Sequence, residues 1–503
     1  MSARLFAGRC AVVAAVVACT SPLHAQPAAN EEELEVEAAS KPSQAPADDI
    51  SALRAELARL KKRVEDLESK PSVAPAAQPP EGGGTSKPAS PFGAPEVLKR
   101  TLGLEAFDIS AYVQAQYEWH QDSEDELVQG GQPLNQDRFL IRRGRVRLDA
   151  AWSWSALSLE VDGNTTRGPS FGLRRAEASL LWRGPWGGPA TDLSALRGGD
   201  GAPPLMMLTV GLMDIPFGFE LGHAARDRVF TERSTGSVAL FPGEPDVGAR
   251  LSGGISFFRY SLAVMNGEPL DERAGRVTRD YNDDKDFVGR LGVHVNPIES
   301  LTISGGVSAL RGTGFHAGND GTKDDVQWKD INENGSIDPG ELIAAPGSAP
   351  TPSENFDRWG LGLDLRIRIE TPIGETHVYG EATIAQNLDR GLFVADPILT
   401  GIDVRELAAY GAVVQEITPY AFVGFRFDWY DPNGDFFDTR GGKVLPSSQV
   451  VRTLSPVVGG GFPGQWRLSV QYDNVDDSLA RDAIGLPADL DNDRFTARLQ
   501  VSL

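Results

Sequence analysis

Thiols are almost missing from this chain. Its 2 cysteines, Cys10 and Cys19, lie at the extreme N-terminus, so the rest can hold neither a disulfide framework nor a Cys-ligated metal. Long apolar runs are missing too: beyond the N-terminal segment nothing approaches the ~20 apolar residues that a membrane-crossing helix needs. A basic surface is absent, since 48 Lys and Arg face 70 Asp and Glu for a net charge of -22, and this excludes nucleic acid as a partner. The 6 histidines show no helical zinc spacing, and no G-x-S-x-G elbow, P-loop or dinucleotide fingerprint occurs. No enzymatic site is expected.

What is present begins with a leader. Arg4 and Arg9 precede the apolar run Ala11 to Ala18, and Leu23-His24-Ala25 offers a small residue for cleavage, which predicts a secretory signal over 1–25. The alternative is a lipoprotein box at Val16-Val17-Ala18-Cys19, with Cys19 acylated. Residues 26–49 are rich in Ala, Pro and Glu without apolar period, and are expected to form a disordered tether. Ile50, Leu53, Leu57, Leu60, Val64 and Leu67 then recur at spacings of three and four between Asp49 and Pro71. That pattern predicts a short α-helical coiled coil over 50–69, or an amphipathic helix docked on its own chain. A Pro/Gly/Ala-rich linker follows over 70–105.

From about residue 106 to the end the period changes to two, the spacing that places successive side chains on opposite faces of a sheet. Phe495, Ala497, Leu499, Val501 and Leu503 alternate with Arg494, Thr496, Arg498, Gln500 and Ser502. Trp359, Leu361, Leu363, Leu365, Ile367 and Ile369 alternate with Gly360, Gly362, Asp364, Arg366, Arg368 and Glu370, a strand of bilayer-crossing length. A soluble β-sandwich alternates as well. Two features favour a transmembrane antiparallel β-barrel over 106–503: Trp152, Trp154, Trp182, Trp359, Trp429 and Trp466 sit near strand ends, and short connections alternate with long polar ones.

Six fragments share an order and spacing: QDRFLIRRGRVRLD from Gln136, LSLEVDGN from Leu157, GLRRAEASLLW from Gly172, LTVGLMDIPFG from Leu208, DRVFTERS from Asp227 and DVGARLSG from Asp246. Together they resemble the phosphate-selective porins O and P of Gram-negative bacteria, most closely between Arg138 and Gly267. The resemblance implies a barrel of about 16 strands in the outer membrane, a homotrimer among outer-membrane lipids, and in some members a periplasmic coiled coil. It also implies passage of small anionic solutes such as phosphate or polyphosphate. The chain departs from that family at its end, where Leu503 stands in place of the usual Phe, and at Pro245, where the family often has Arg.

With the polar face turned to the lumen, Arg143, Arg145, Arg147, Arg175, Arg250, Arg290, Arg366, Arg368 and Arg426 line the pore, together with Arg467, Arg494 and Arg498. Such a wall attracts anions, because guanidinium matches phosphate oxygens bidentately and keeps its charge. The alternative is internal pairing with Asp149, Glu160, Asp162, Glu177, Asp364, Glu381 and Asp428, which leaves a general or carbohydrate-type pore of weak selectivity. Lysines of the barrel region, Lys285, Lys323, Lys329 and Lys443, all fall in apparent loops. The stretch from Asp214 to Pro245 is too long and apolar for a tight turn, so a loop folded into the pore is expected, its Arg226, Arg228, Glu232 and Arg233 shaping the constriction or pinning the loop.

One further motif stands in a long connection. Asp330 to Glu341 reads DINENGSIDPGE, with Asp330, Asn332, Asn334, Ser336, Asp338 and Glu341 at the ligand positions of an EF-hand loop and Gly335 at its sharp turn. Ca2+ is therefore the expected cofactor. A barrel that conducts nothing and displays this loop at the surface is the remaining alternative.

Overall fold

In a computed structural model, the described residues are 101–503 except 122–127, 130–131, 134–136, 167, 184–202, 268–281, 436, 439–444, 447–448, 478–479, 482–486 and 490–491. The expected signal, tether, coiled coil and nearly all of the linker lie outside the described residues.

Sixteen strands form the barrel: β1 Ala106–His120, β2 Arg138–Ala151, β3 Ser155–Asn164, β4 Ser170–Trp182, β5 Met206–Asp214, β6 Pro245–Ile255, β7 Phe258–Met265 and β8 Asp286–Ile298. They continue as β9 Leu301–His316, β10 Glu354–Thr371, β11 Gly374–Gln386, β12 Arg405–Ile417, β13 Ala421–Asp431, β14 Val451–Phe462, β15 Trp466–Asp476 and β16 Arg494–Ser502. Each pairs with the next, and β16 closes antiparallel on β1, with Val113 opposite Val501 and Trp119 opposite Phe495. Leu503 extends that seam, its N–H donating to the Ala111 carbonyl at 2.8 Å. Closure leaves no sheet edge, the condition for spanning hydrocarbon with strands.

The burial pattern is inverted relative to a soluble sandwich. Along β16, Thr496, Arg498 and Gln500 are buried while Leu499 and Val501 are exposed. Val210, Leu262, Leu291, Val307, Leu363, Phe425, Val458 and Leu468 are likewise exposed on other strands. An apolar outer belt around a charged interior suits lipid outside and water inside, and removes the sandwich from consideration. Trp154, Trp182 and Trp466 stand exposed at one rim.

Connections differ at the two ends. At one end β2–β3, β6–β7, β8–β9, β10–β11, β12–β13 and β14–β15 are joined by two or three residues. At the other lie the long segments 215–244, 317–353 and 387–404. The short-turn end is also where β1 begins and β16 finishes.

The register shifts at three places, one of them beside the β8–β9 turn between Val295 and Ile298, and the other two bear on the lumen. Between β1 and β2 the register shifts at Gln114/Ala115, so that Arg143 faces Gln114 and Ile141 faces Ala115, with Arg142 as the extra residue. Between β3 and β4 it shifts at Glu160/Val161, leaving Arg174 extra between Leu173 and Arg175. A bulge adds one residue to one strand and re-aims the side chains beside it. Here both members of each pair, Arg142–Arg143 and Arg174–Arg175, are buried inside.

Candidate functional site

The segment 215–244 folds into the barrel rather than away from it. Its apolar side docks first: Ile215, Phe217, Leu221, Leu240 and Phe241 pack with Met213, Met265, Val288, Leu310, Ala385, Leu388 and Tyr430, all buried. Met265, Val288, Leu310 and Ala385 are thus inward positions occupied by apolar residues, as are Ala412, Val414 and Val457, which pack on Phe230 of the loop. A short helix, α1 Thr235–Leu240, carries Leu240 into this contact.

Backbone groups of the loop are met by wall side chains. The Phe219 N–H donates to Glu381 Oε1 at 2.8 Å and the Glu220 N–H donates to the same oxygen, while Gly218 N–H donates to Ser308 Oγ at 3.0 Å. The Tyr410 hydroxyl donates to Glu381 at 3.1 Å. Gly218 has φ +64°, and a Cβ there would lie 2.2 Å from Glu381 Oε2, so a side chain at this turn is strained and pushes that carboxylate aside. Further round the wall, Thr231 N–H donates to Gln471 Oε1 at 2.8 Å, and Gln114 and Gln500 donate to the carbonyls of Ala225 and Arg226.

The loop's tip is clasped by charge. Glu232 accepts from Arg142 Nε at 2.9 Å and Nη2 at 3.0 Å, from Arg143 Nη2 at 3.1 Å and from Arg498 Nη2 at 2.8 Å. Burial alone would raise the Glu232 pKa, but the guanidiniums of Arg142, Arg143 and Arg498 outweigh it and hold the carboxyl well below its usual range. Arg426 donates to the Glu232 carbonyl at 2.8 Å and lies over the Phe230 ring at 4.8 Å. At the loop's C-terminal end Glu244 pairs with Arg174, Arg228 and Arg233. Glu220 caps Ser234, accepting from its N–H at 3.0 Å and its hydroxyl at 2.7 Å.

The arginines expected to line the pore therefore divide by partner. Arg145 pairs with Asp162 at 2.9 Å, Arg147 with Asp149 at 3.0 Å, Arg175 with Glu177 at 2.7 Å and with Asp214, and Arg290 with Asp364. Arg250 donates to the Asp214 carbonyl at 3.2 Å. Arg143, Arg228, Arg233 and Arg426 hold the loop, as above. Arg226 is the more open member of the loop set and meets Asp227 at 3.3 Å. Arg366 lies over the Phe219 ring at 5.4 Å, and Arg368 donates to Thr302 Oγ1 at 3.3 Å. Arg142, Arg174, Glu244 and the latch Glu381 belong to the same site, although strict alternation points Arg142 and Arg174 at lipid. The doubled arginines themselves, flanked by apolar residues in both strands, were the available signal for a bulge.

Of the four barrel lysines, Lys285, Lys323 and Lys329 fall in long connections, and Lys443 lies outside the described residues.

The Asp330–Glu341 loop stands apart from the pore, at the tip of a hairpin pairing Asp325–Trp328 with Leu342–Ala345. Strands flank it, where an EF-hand has helices. Asp330 accepts from the N–H groups of Asn334 at 3.1 Å and Gly335 at 2.7 Å, and Asn334 Oδ1 accepts from Ser336 N–H at 2.7 Å. Gly335 has φ +71°, the left-handed turn that position needs. Glu341 turns back into the loop, accepting from Asp338 N–H at 3.0 Å, Trp328 Nε1 at 3.1 Å and Ile331 N–H at 3.2 Å. The Asp338 N–H, then the Trp328 indole, hold its carboxyl below the usual range, so it is ionised as a calcium ligand must be. Asp338 takes the Asn332 and Asn334 amides at 2.8 and 2.6 Å.

No family model and no curated protein matches this chain. Among solved structures it is similar to OprB of Pseudomonas putida, with a TM-score of 0.46 and 9% identity over 81% of this chain and 96% of that one. It is similar also to the outer membrane channel DcaP of Acinetobacter baumannii, with a TM-score of 0.45 and 9% identity over 79% of this chain and 97% of that one. In-vitro folded OmpT in trimer form, an outer membrane protein of Vibrio cholerae, gives a TM-score of 0.43 and 9% identity over 79% and 99%. Likeness at that level adds no weight to the reading of the site, which rests on the chain's own residues.

Proposed function

We propose that this chain is an outer-membrane porin that passes small solutes by passive diffusion. The observation that carries this reading is the 215–244 loop, clasped inside a closed barrel by Arg142, Arg143 and Arg498 on Glu232. A loop held across a charged lumen narrows a pore and sets what crosses it. Small anions, phosphate or polyphosphate among them, are the solutes that the arginine face favours, with Arg226, Arg366 and Arg368 as the first contacts. Pairing of Arg145, Arg147, Arg175 and Arg290 with carboxylates favours the rival reading, a general or carbohydrate-type pore of weak charge preference. Reversal potentials of single channels in a KCl gradient separate the two. An anion-selective potential that falls on Arg226→Ala supports the first; a cation-selective one removes it. Absence of any conductance after reconstitution would leave a barrel that only displays its outer loop.

The same proposal places the protein as a homotrimer in the outer membrane, its coiled coil on the periplasmic side. It includes a structural Ca2+ held by Asp330, Asn332, Asn334, Ser336, Asp338 and Glu341. What supports the ion is the ionised Glu341 and the turn at Gly335, both arranged as an EF-hand loop needs them. Glu341→Gln is expected to abolish calcium-dependent protection of the loop from proteolysis, read by mass spectrometry of the fragments. Equal protection in both proteins would refute the assignment.

A further inference from the structure

A second group of metal-ligating side chains lies inside the barrel at the short-turn end, far along the strands from the loop clasp. Glu375 and His377 share the inner face of β11, two residues apart. Glu416, on the neighbouring β12, stands beside them, since Thr376 pairs with Gln415 in the register. His377 Nε2 lies 3.5 Å from Glu375 Oε2 and 3.7 Å from Glu416 Oε1. One ligand atom from each residue falls within 4.8 Å of the other two.

Charge makes this arrangement costly as it stands. Glu370 of β10 is directly opposite Glu375, so Glu370, Glu375 and Glu416 form a row of carboxylates across three adjacent strands. Like charges placed opposite one another on a sheet destabilise it. Arg368, directly across from His377, supplies one positive charge from the next row and donates to Thr302. A dication between Glu375, His377 and Glu416 neutralises the row more fully.

Geometry and chemistry select the ion. A tetrahedral zinc with ligands ~2.0–2.2 Å away holds its ligand atoms about 3.3–3.6 Å apart. The two His–carboxylate separations already fall at or just beyond that spacing, and rotation of a glutamate terminus, a soft torsion, closes the third. An imidazole among the donors favours zinc-class ions over calcium or magnesium, which prefer oxygen alone. The backbone on which the glutamates sit is fixed: Gln415 Nε2 donates to the carbonyls of Glu375 at 3.4 Å and Glu416 at 2.8 Å, and Gln415 Oε1 accepts from Thr376 Oγ1 at 2.6 Å.

We propose that Glu375, His377 and Glu416 bind a zinc-class divalent cation at the short-turn mouth of the lumen, with the fourth position open to water. The site rests on the barrel geometry and is independent of solute selectivity.

The test is isothermal titration of the folded full chain in detergent with zinc chloride. One zinc per protomer is expected, competed by cobalt but not by calcium or magnesium. His377→Ala and Glu416→Gln should each weaken binding at least about tenfold, the loss that even an outer partner of a ligand produces. His294→Ala removes a histidine of the same barrel half, held by Ser304 at 2.8 Å, and should leave binding unchanged. Each variant is used only after its heat-modifiable gel mobility shows a folded barrel; should His377→Ala fail that check, Glu416→Gln carries the test. Absence of zinc binding at tens of micromolar, or wild-type affinity in the folded variants, overturns the site. Equal loss in His294→Ala would place the ion elsewhere and overturn it too.

Discussion

The lumen wall holds its infolded loop in two different ways. On β2, β4 and β16 the contacts are ionic: Arg142, Arg143 and Arg498 converge on Glu232, and Arg174 meets Glu244. On β7, β8, β9 and β11 they are largely apolar, with Met265, Val288, Leu310 and Ala385 under Phe217, Leu240 and Phe241, beside the loop N–H groups whose hydrogen bonds Ser308 and Glu381 accept. Burying each large apolar side chain contributes about 1.5–3 kcal/mol, with little demand on direction. The ionic side contributes little net energy over an apolar equivalent, but losing one partner strands buried charge at about 3–5 kcal/mol. So one wall supplies attachment, and the other fixes where the tip sits. That position decides what charge a passing solute meets.

The comparison breaks hardest at Glu232. Glu232→Ala leaves Arg142, Arg143 and Arg498 buried without their carboxylate, an expected loss of about 3–5 kcal/mol in thermal unfolding. The tip should loosen, held only by Arg426, Gln471 and the buried Phe230, and single-channel conductance should rise. Unchanged conductance would mean that the clasp does not set the pore. Next comes Leu240→Ala on the apolar side, expected to cost about 2–3 kcal/mol with a smaller rise in conductance, since the tip stays clasped. If its channels match those of Glu232→Ala, the two walls do the same thing and the distinction fails.

The smallest effect is acid. The folded-state pKa of Glu232 is depressed, so its contribution is complete above the ordinary glutamate pKa and disappears as pH falls through the lower, folded value. Conductance is expected to rise only in acid well below the ordinary glutamate range. Glu232→Gln should abolish that pH step; a step that persists in the variant assigns it to another group.

Much of the fold was legible because a two-residue period needs nothing beyond neighbours in sequence. β10 and β16 show it without interruption, and their inner and outer faces fall where alternation places them. The loop was legible from its length and apolar content, which no exposed connection needs. Its fastening was not, for two physical reasons. A bulge shifts phase by one residue, so Arg142 and Arg174 read as lipid-facing until the pairing partner is known. Inward apolar residues such as Val288 and Ala385 carry no mark of their own, because the surface that covers them arrives from far along the chain. The calcium-like loop was legible residue by residue, whereas the hairpin that presents it was not.

The clasp also has an order in time. Arg142 and Arg143 belong to the second strand to be synthesised and Arg498 to the last, yet all three hold one carboxylate near the middle of the chain. Glu232 therefore cannot gain its full set of partners until β16 has joined β1. A seated tip is a report that the cylinder has closed, and a chain stalled short of its final strand is left with an unsecured loop.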